Sequence, residues 1–182
     1  INTFENIHST FPYLISKLCR EYNIKQLIHL SSLGIDDAVE SNYAKSKLKG
    51  EHNIKNNFPN ATILRPSIVY SVDDNFTTNF MTLLNVLPIF PLYYEGKTKF
   101  MPIHCSDLTE IVYQVISKEI ISTTIECVGP EMITLKNILK RLLKLIEKKR
   151  LLIPIPLLIA KLSAYFFQLF PRPLLTIDQL YL

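Results

Sequence analysis

An α/β domain built on a parallel sheet is the fold class this sequence predicts, and three observations carry it. Two short apolar runs, Gln26–Ser31 and Ala61–Val69, have the length and hydrophobicity of strands, the second suited to burial on both faces. Between them the stretch from Ser41 to about Asn56 has helical character. Strand, helix and strand thus follow at the spacing of a βαβ unit, which favours parallel pairing. The 182 residues are 48% hydrophobic and 20% charged, the balance of a folded chain with a sizeable core.

The remaining elements follow in order. Ile7, Phe11, Leu14, Ile15, Leu18 and Tyr22 recur at the period of an amphipathic helix over Phe4–Tyr22. Pro12 fits its first turn with Ser9 or Thr10 as cap, or marks a kink in a helix that starts earlier. Phe58-Pro59-Asn60 makes a turn before the second strand. Phe76, Phe80, Leu83, Leu84 and Leu87 outline a helix stopped by Pro88 and Pro91. Thr98–Ile103 is read as a strand, followed by a helix with Ser106 as cap and Leu108, Ile111, Val112, Val115 and Ile116 inside. Thr123–Val128 is a further strand. Thr134 caps a helix carrying Leu135, Ile138, Leu139, Leu142, Leu143 and Ile146, with lysines on its other face.

Composition excludes several function classes. The net charge of +4 comes largely from a late cluster between Lys136 and Arg150, and no arginine-rich stripe interleaved with aromatics points to nucleic acid. Cys19, Cys105 and Cys127 form no C-x-x-C pair, and His8, His29, His52 and His104 lack metal-ligand spacing. The cysteines are read as reduced thiols, and no metal is expected. The first residues, INTFENIHS, carry no signal peptide, and both ends look cut, so a fragment of a longer protein is expected. Leu151–Phe170 approaches the length of a bilayer span, but Pro154, Pro156, Lys161, Ser163 and Gln168 interrupt it. An amphipathic helix from about Pro156 is expected instead.

The chemistry-bearing stretch is Gln26–Glu51, a strand ending in Ser31-Ser32, a short polar loop, and a helix opening on Tyr43-Ala44-Lys45-Ser46-Lys47. Tyr43 and Lys47 lie four residues apart and share a helix face. A phenol titrates near ~10, and an ammonium beside it favours the phenolate. A serine hydroxyl at the adjacent strand end would hold a carbonyl or alcohol next to that phenol, a constellation for general acid/base work on an alcohol–ketone pair.

These residues, Ser followed by Tyr-x-x-x-Lys-x-x-x-Glu through Glu51, resemble the short-chain dehydrogenase/reductase superfamily in its extended, epimerase/dehydratase-like branch. Leu64-Arg65-Pro66-Ser67-Ile68-Val69-Tyr70 is similar to that branch's L-R-P-x-x-V-Y-G segment, with Ser71 in place of the glycine. Phe100-Met101-Pro102-Ile103-His104-Cys105-Ser106-Asp107 resembles its F-x-P-V-H-V-x-D element, in which Asp107 would cap a helix. Cys127-Val128-Gly129-Pro130-Glu131 matches its strand-end Gly-Pro turn. The short loop before Tyr43 and the ending Pro171-Arg172-Pro173-Leu174-Leu175-Thr176-Ile177-Asp178-Gln179-Leu180 are most similar to the atypical group that contains the nucleotide-binding accessory subunit of respiratory complex I.

The resemblance implies an incomplete Rossmann-type parallel sheet over residues 1–128, with 72–98 as a lobe insertion, and a truncated, mostly helical C-terminal lobe over 129–182. It implies Tyr43 as acid/base, Lys47 on the nicotinamide ribose and Ser32 on the substrate. Ser31, Tyr43, Lys47, Pro66, Ser67, Ile68 and Val69 would border NADP or NAD. His8 lies where many members place an asparagine that supports the active-site helix, and Arg65 suits a buried pair. Gly34, Gly50, Gly96 and Gly129 cannot assemble a glycine-rich phosphate loop, so the chain holds the nicotinamide side of such a cleft without the pyrophosphate side. Three readings stay open. One is an accessory or assembly subunit of the respiratory NADH:quinone oxidoreductase whose dinucleotide is structural. The second is an NAD(P)-dependent reductase or epimerase, and the third a non-functional remnant of a split gene. The first implies complex I subunits as partners and a cytoplasmic place, with the inner face of the respiratory membrane within reach. The lysine-rich face from Lys136 to Arg150 adds the option of contact with anionic lipid.

Overall fold

The computed structural model describes residues 3–156 together with Ile159 and Asp178. The expected helix from about Pro156 and the Pro171–Leu180 ending lie outside the described residues, apart from those two. The described residues divide into two compact units, one formed by residues 3–67 and Ser106–Cys127, the other by Ile68–Cys105 and residues 128–156 with Ile159 and Asp178.

The first unit is built on a three-stranded parallel sheet, β1 (Ile28–Leu30), β2 (Thr62–Pro66) and β7 (Thr124–Cys127), in the order β1-β2-β7. Ile28 pairs with Thr62 and Leu64 with Ile125, the parallel arrangement expected of the βαβ unit. Its crossover is helix α2 (Asn42–Asn57). Ile54, Phe58 and Ala61 close one core cluster with Cys19 and Leu27, while Ile63 and Leu64 are wholly buried in the central strand. Gln26 Nε2 donates to the carbonyls of Val115 and Ile120, and Thr62 Oγ1 donates to Ile120 at 2.6 Å. These bonds fasten helix α4 (Cys105–Ser117) to the sheet.

The N-terminal helix takes the earlier-start alternative. A π-helical turn, Asn6–Thr10, runs straight into α1 (Phe11–Glu21), with Pro12 in its first turn. Proline has no N–H to return to the preceding turn, so that turn is free to widen. The widened turn lies against α2. Asn53 Nδ2 donates to the Ser9 carbonyl at 3.2 Å and to its hydroxyl at 3.1 Å. The His8 carbonyl rests where a side chain on Gly50 would be.

The second unit holds α3 (Asn75–Val86), capped by Asp74, and α5 (Leu135–Leu145), capped by Thr134 as expected. Three short strand pairs accompany them. β3 (Val69–Tyr70) runs parallel to β6 (Ile103–His104), β4 (Ile89–Leu92) runs parallel to β9 (Leu151–Pro154), and β5 (Lys99–Phe100) runs antiparallel to β8 (Ile133–Thr134). Leu84, Phe90, Leu92, Leu139 and Leu142 form the core beneath them.

Four expectations are corrected here. Ala61–Val69 is not one strand, because Pro66 cannot donate to a ladder and the chain changes sheet at Ser67. Pro102 divides Thr98–Ile103 in the same way. The stretch between Pro88 and Pro91, expected only to end a helix, contributes strand β4. Helix α4 starts at Cys105, so Ser106 and Asp107 stand inside its first turn rather than at its cap.

Candidate functional site

Helix α2 sets the site. Ser41 holds its N-cap by accepting the Ala44 N–H at 3.2 Å, and this places Tyr43 and Lys47 one turn apart, both half-buried. Lys47 Nζ lies over the Tyr43 ring, 5.8 Å from its centre, and donates to the Leu30 carbonyl at 3.4 Å, the C-terminal end of β1. Burial lowers the pKa of this ammonium, and nearby Glu51 works the other way.

The Tyr43 ring is gripped edge-on by two aromatics from the π-turn side, His8 at 5.1 Å and Phe4 at 5.8 Å, which stack on one another at 5.4 Å. The Ser46 hydroxyl donates to the Tyr43 carbonyl at 2.7 Å and lies 3.0 Å from His8 Nδ1. With its one hydrogen spent on that carbonyl, Ser46 accepts from His8, which assigns the proton to Nδ1. His8 thus supports the helix, the role the resemblance implied. Burial, aided by Lys47, lowers its pKa.

Behind this face stands a buried ion pair. Arg65, on β2, binds Glu51 of α2 through two bonds, Nε at 2.9 Å and Nη2 at 2.8 Å, and Glu51 is 1% exposed. The other side of the guanidinium holds Asp36, in the loop between β1 and α2. Burial opposes the charge on Glu51, but the Arg65 bonds outweigh it and keep the carboxyl below the usual 4.5. In the same loop Ile35 and Ala38 are buried with Ala44 and pack on Tyr43 and Leu48, so the Asp36 contact helps seat the loop against the tyrosine.

His29, on β1, is pushed down to about 4, first by burial and then by Lys47, and its Nε2 is buried without a partner. A histidine whose folded pKa is depressed favours folding when neutral. Its contribution is complete above about 6.5 and is lost as pH falls toward 4. We expect the His29 imidazole to show no titration above pH ~5 by NMR, where an exposed histidine would titrate near ~6.5. A midpoint near neutrality would remove it from this buried cluster.

The other candidate residues sit as follows. Ser31 is buried and Ser32 half-buried at the end of β1. The Ser31 N–H donates to Leu64 at 2.7 Å and the Leu33 N–H to Pro66 at 3.0 Å, while Ser67 N–H reaches Cys127 at 3.0 Å. Tyr43, Lys47, Ser31, Ser32, Pro66 and Ser67 all belong to the first unit, with Lys47 on the Leu30 carbonyl and Ser31, Ser32, Pro66 and Ser67 at the C-terminal edge of its parallel strands. Ligands of open α/β sheets bind at that edge. Ile68 and Val69 open the second unit, where they bond and pair with Ile103. Sequence reasoning missed Asp36 and Ser46. Ser46 had a signal, its position three residues beyond Tyr43, whereas Asp36 had none.

A cavity of about 490 Å³ lies elsewhere, lined by Cys19, Arg20, Asn23, Lys25, Phe58 and Asn60 among others, where α1 and α2 end and the strands begin. Arg20 lies in the last turn of α1, where a cation answers the negative end of the helix. Among the described residues no cluster of His, Cys, Asp and Glu could hold a metal ion.

No protein-family profile matches the chain. Among curated proteins it is similar to NADH dehydrogenase (ubiquinone) 1 alpha subcomplex subunit 9, mitochondrial, of Mus musculus, with 27% identity over 170 residues, 92% of this chain and 45% of that protein. It is also similar to the mitochondrial NADH-ubiquinone oxidoreductase 40 kDa subunit of Neurospora crassa, with 26% identity over 160 residues, 87% of this chain and 42% of that one. The chain is thus similar over most of its length to subunits of the mitochondrial NADH-ubiquinone oxidoreductase. The chain spans about half the length of the curated relatives it matches. Its fold is shared with dTDP-4-dehydrorhamnose reductase of Clostridium acetobutylicum, TM-score 0.72 at 17% identity over 96% of this chain and 64% of that one. It is shared also with dTDP-glucose 4,6-dehydratase of Bacillus anthracis in complex with NAD, TM-score 0.68 at 14% identity over 84% and 57%. Both are Rossmann-type proteins, and at these identities the likeness speaks for the fold alone.

Proposed function

We propose that this chain is the nicotinamide-side portion of a dinucleotide-binding accessory subunit of a respiratory NADH:quinone oxidoreductase, in which the dinucleotide stabilises the fold and is not turned over. The observation that carries this reading is similarity to complex I subunits along 92% of the chain. The geometry supports it. A lysine on a strand-end carbonyl, a tyrosine one turn earlier and an unbonded buried serine hydroxyl suit the polar nicotinamide–ribose end of NADP or NAD. A bound dinucleotide has hydride chemistry to offer, which this reading leaves unused. Here Lys47 would hold the ribose, with the Pro66–Ser67 backbone of the same unit bordering the nicotinamide. Nothing in these 182 residues offers a glycine-rich loop for the pyrophosphate. As such a subunit the protein would sit peripherally on the membrane-bound complex, with its other subunits as partners.

The test uses the full-length protein. Lys47→Ala should reduce bound NADPH or NADH on purification by about ten-fold, and Tyr43→Phe should leave occupancy unchanged with no steady-state oxidation to lose. An intact Tyr43–Lys47 pair favours a second reading, an NAD(P)-dependent reductase or epimerase with Tyr43 as acid/base. Ketone reduction abolished by Tyr43→Phe, with dinucleotide still bound, would establish the enzyme and dismiss the structural role.

A further inference from the structure

The second unit carries an apolar surface that its own core does not use. In the β4–β9 ribbon Ile89 pairs with Leu151 and Pro91 with Ile153, and alternate residues face opposite ways. Phe90, Leu92 and Leu152 turn into the core. Ile89, Leu151 and Ile153 turn outward and are 49%, 63% and 41% exposed. Arg150 donates to the carbonyls of Leu84 and Asn85, both at 2.9 Å, which ties the end of α3 to the start of β9. Val86 stands next to that junction, 74% exposed. Leu145, the last residue of α5, is 75% exposed a few residues before it. A ribbon face turned to water is ordinarily polar, and this one is aliphatic throughout.

The charges beside it have one sign. Lys144, Lys148 and Lys149 are exposed where α5 turns into β9, and only Glu147 opposes them between residues 140 and 155. The facing elements, residues 75–92, contain no aspartate or glutamate. Glu131 is engaged by Arg141 at 2.5 Å and Glu95 by Lys97 at 2.5 Å.

We propose that this face docks on the surface of an anionic lipid bilayer, its aliphatic residues entering the headgroup boundary and its lysines pairing with headgroup phosphates. The composition selects lipid over a protein partner. Protein interfaces concentrate Tyr, Trp, Arg and Met and are depleted of lysine. An aliphatic centre edged by lysines, whose stems reach along apolar surface while the ammonium stays wet, fits a charged membrane interface. The proposal deepens the membrane-complex reading above and rests on it only for the protein's location.

The full-length protein is sedimented with vesicles of phosphatidylcholine alone and of phosphatidylcholine doped with phosphatidylglycerol, while NADPH binding is read on the same samples. Binding to the doped vesicles alone is expected, weakening with salt. Lys144→Glu/Lys148→Glu/Lys149→Glu should cut it by at least about ten-fold, and Leu151→Ser/Ile153→Ser should weaken it, both without lowering the melting temperature. Equal binding to neutral vesicles, no binding to either, or wild-type binding by the charge-reversed variant would each overturn the proposal and leave the face to a protein partner or another segment of the chain. NADPH binding without vesicle binding sinks this proposal alone, and the reverse result sinks only the dinucleotide reading.

Discussion

Replacing Gly50 by alanine is expected to lower the unfolding free energy by about 3 kcal/mol, the upper part of the range for overpacking a filled interior. The added methyl would coincide with the backbone carbonyl of His8, and Pro12 stands close behind. No side chain can rotate away to make room, because the obstruction is main chain. The cost must be met by moving the π-turn off α2, and that turn carries His8, whose ring both packs on Tyr43 and bonds Ser46. Gly34→Ala is the matched control. Its site is open, and only its φ of +77° resists a side chain, which costs about 1 kcal/mol. Urea unfolding of the two variants compares them directly. Should they prove equally mild, the turn does not rest on α2 as described, and the aromatic grip on the tyrosine needs another cause.

How much of this was legible in the sequence depends on the length scale of each signal. The α2 face was legible because a period of 3.6 fixes Tyr43 against Lys47 whatever surrounds them, and because Ser41 is a recognisable cap. The parallel pairing of β1 and β2 followed from the strand–helix–strand order, while β7 was read only as a further strand. Strands of two residues are too short to show any alternation, so β8 had no sequence signature, and β3, β5 and β6 were read only as parts of longer runs. β4 and β9 were obscured by Pro91 and Pro154, which strands accept where their missing N–H costs no ladder bond. Pro66 and Pro102 did carry a signal for the breaks, one outweighed in the reading by the apolar run around them. The site divides in the same manner. Arg65 was legible as half of a buried pair, since an arginine in a strand needs a partner, whereas Glu51 entered only as the end of the Tyr-x-x-x-Lys-x-x-x-Glu resemblance. Asp36, 29 residues from Arg65, was not legible, because loop residues have no period to place them.

That pairing makes Arg65→Ala the other variant with a large expected effect. At neutral pH it should cost about 3–5 kcal/mol, because Glu51 keeps its burial and loses the donors that offset it. The pH dependence separates this cause from lost packing. In the native protein the Glu51 carboxyl titrates below 4.5, so its contribution is complete above 4.5 and is lost as pH falls through that depressed value. Without Arg65 burial dominates, and the folded-state value rises above 4.5. The carboxyl then penalises the fold at neutral pH, and the penalty fades as acid protonates it. The stability gap between native and variant should therefore narrow steadily from pH 7 toward pH ~4, and adding Glu51→Gln to the variant should recover part of the loss at pH 7. A gap that stays constant across that range would mean Glu51 is not an uncompensated buried charge. Glu51 also stands one turn beyond Lys47 and favours its charged form, so the same variant leaves that ammonium beside a protonated neighbour in acid. If Lys47 holds a dinucleotide ribose, occupancy should track the ionisation of Glu51, which links the buried pair to ligand binding through a single helical turn.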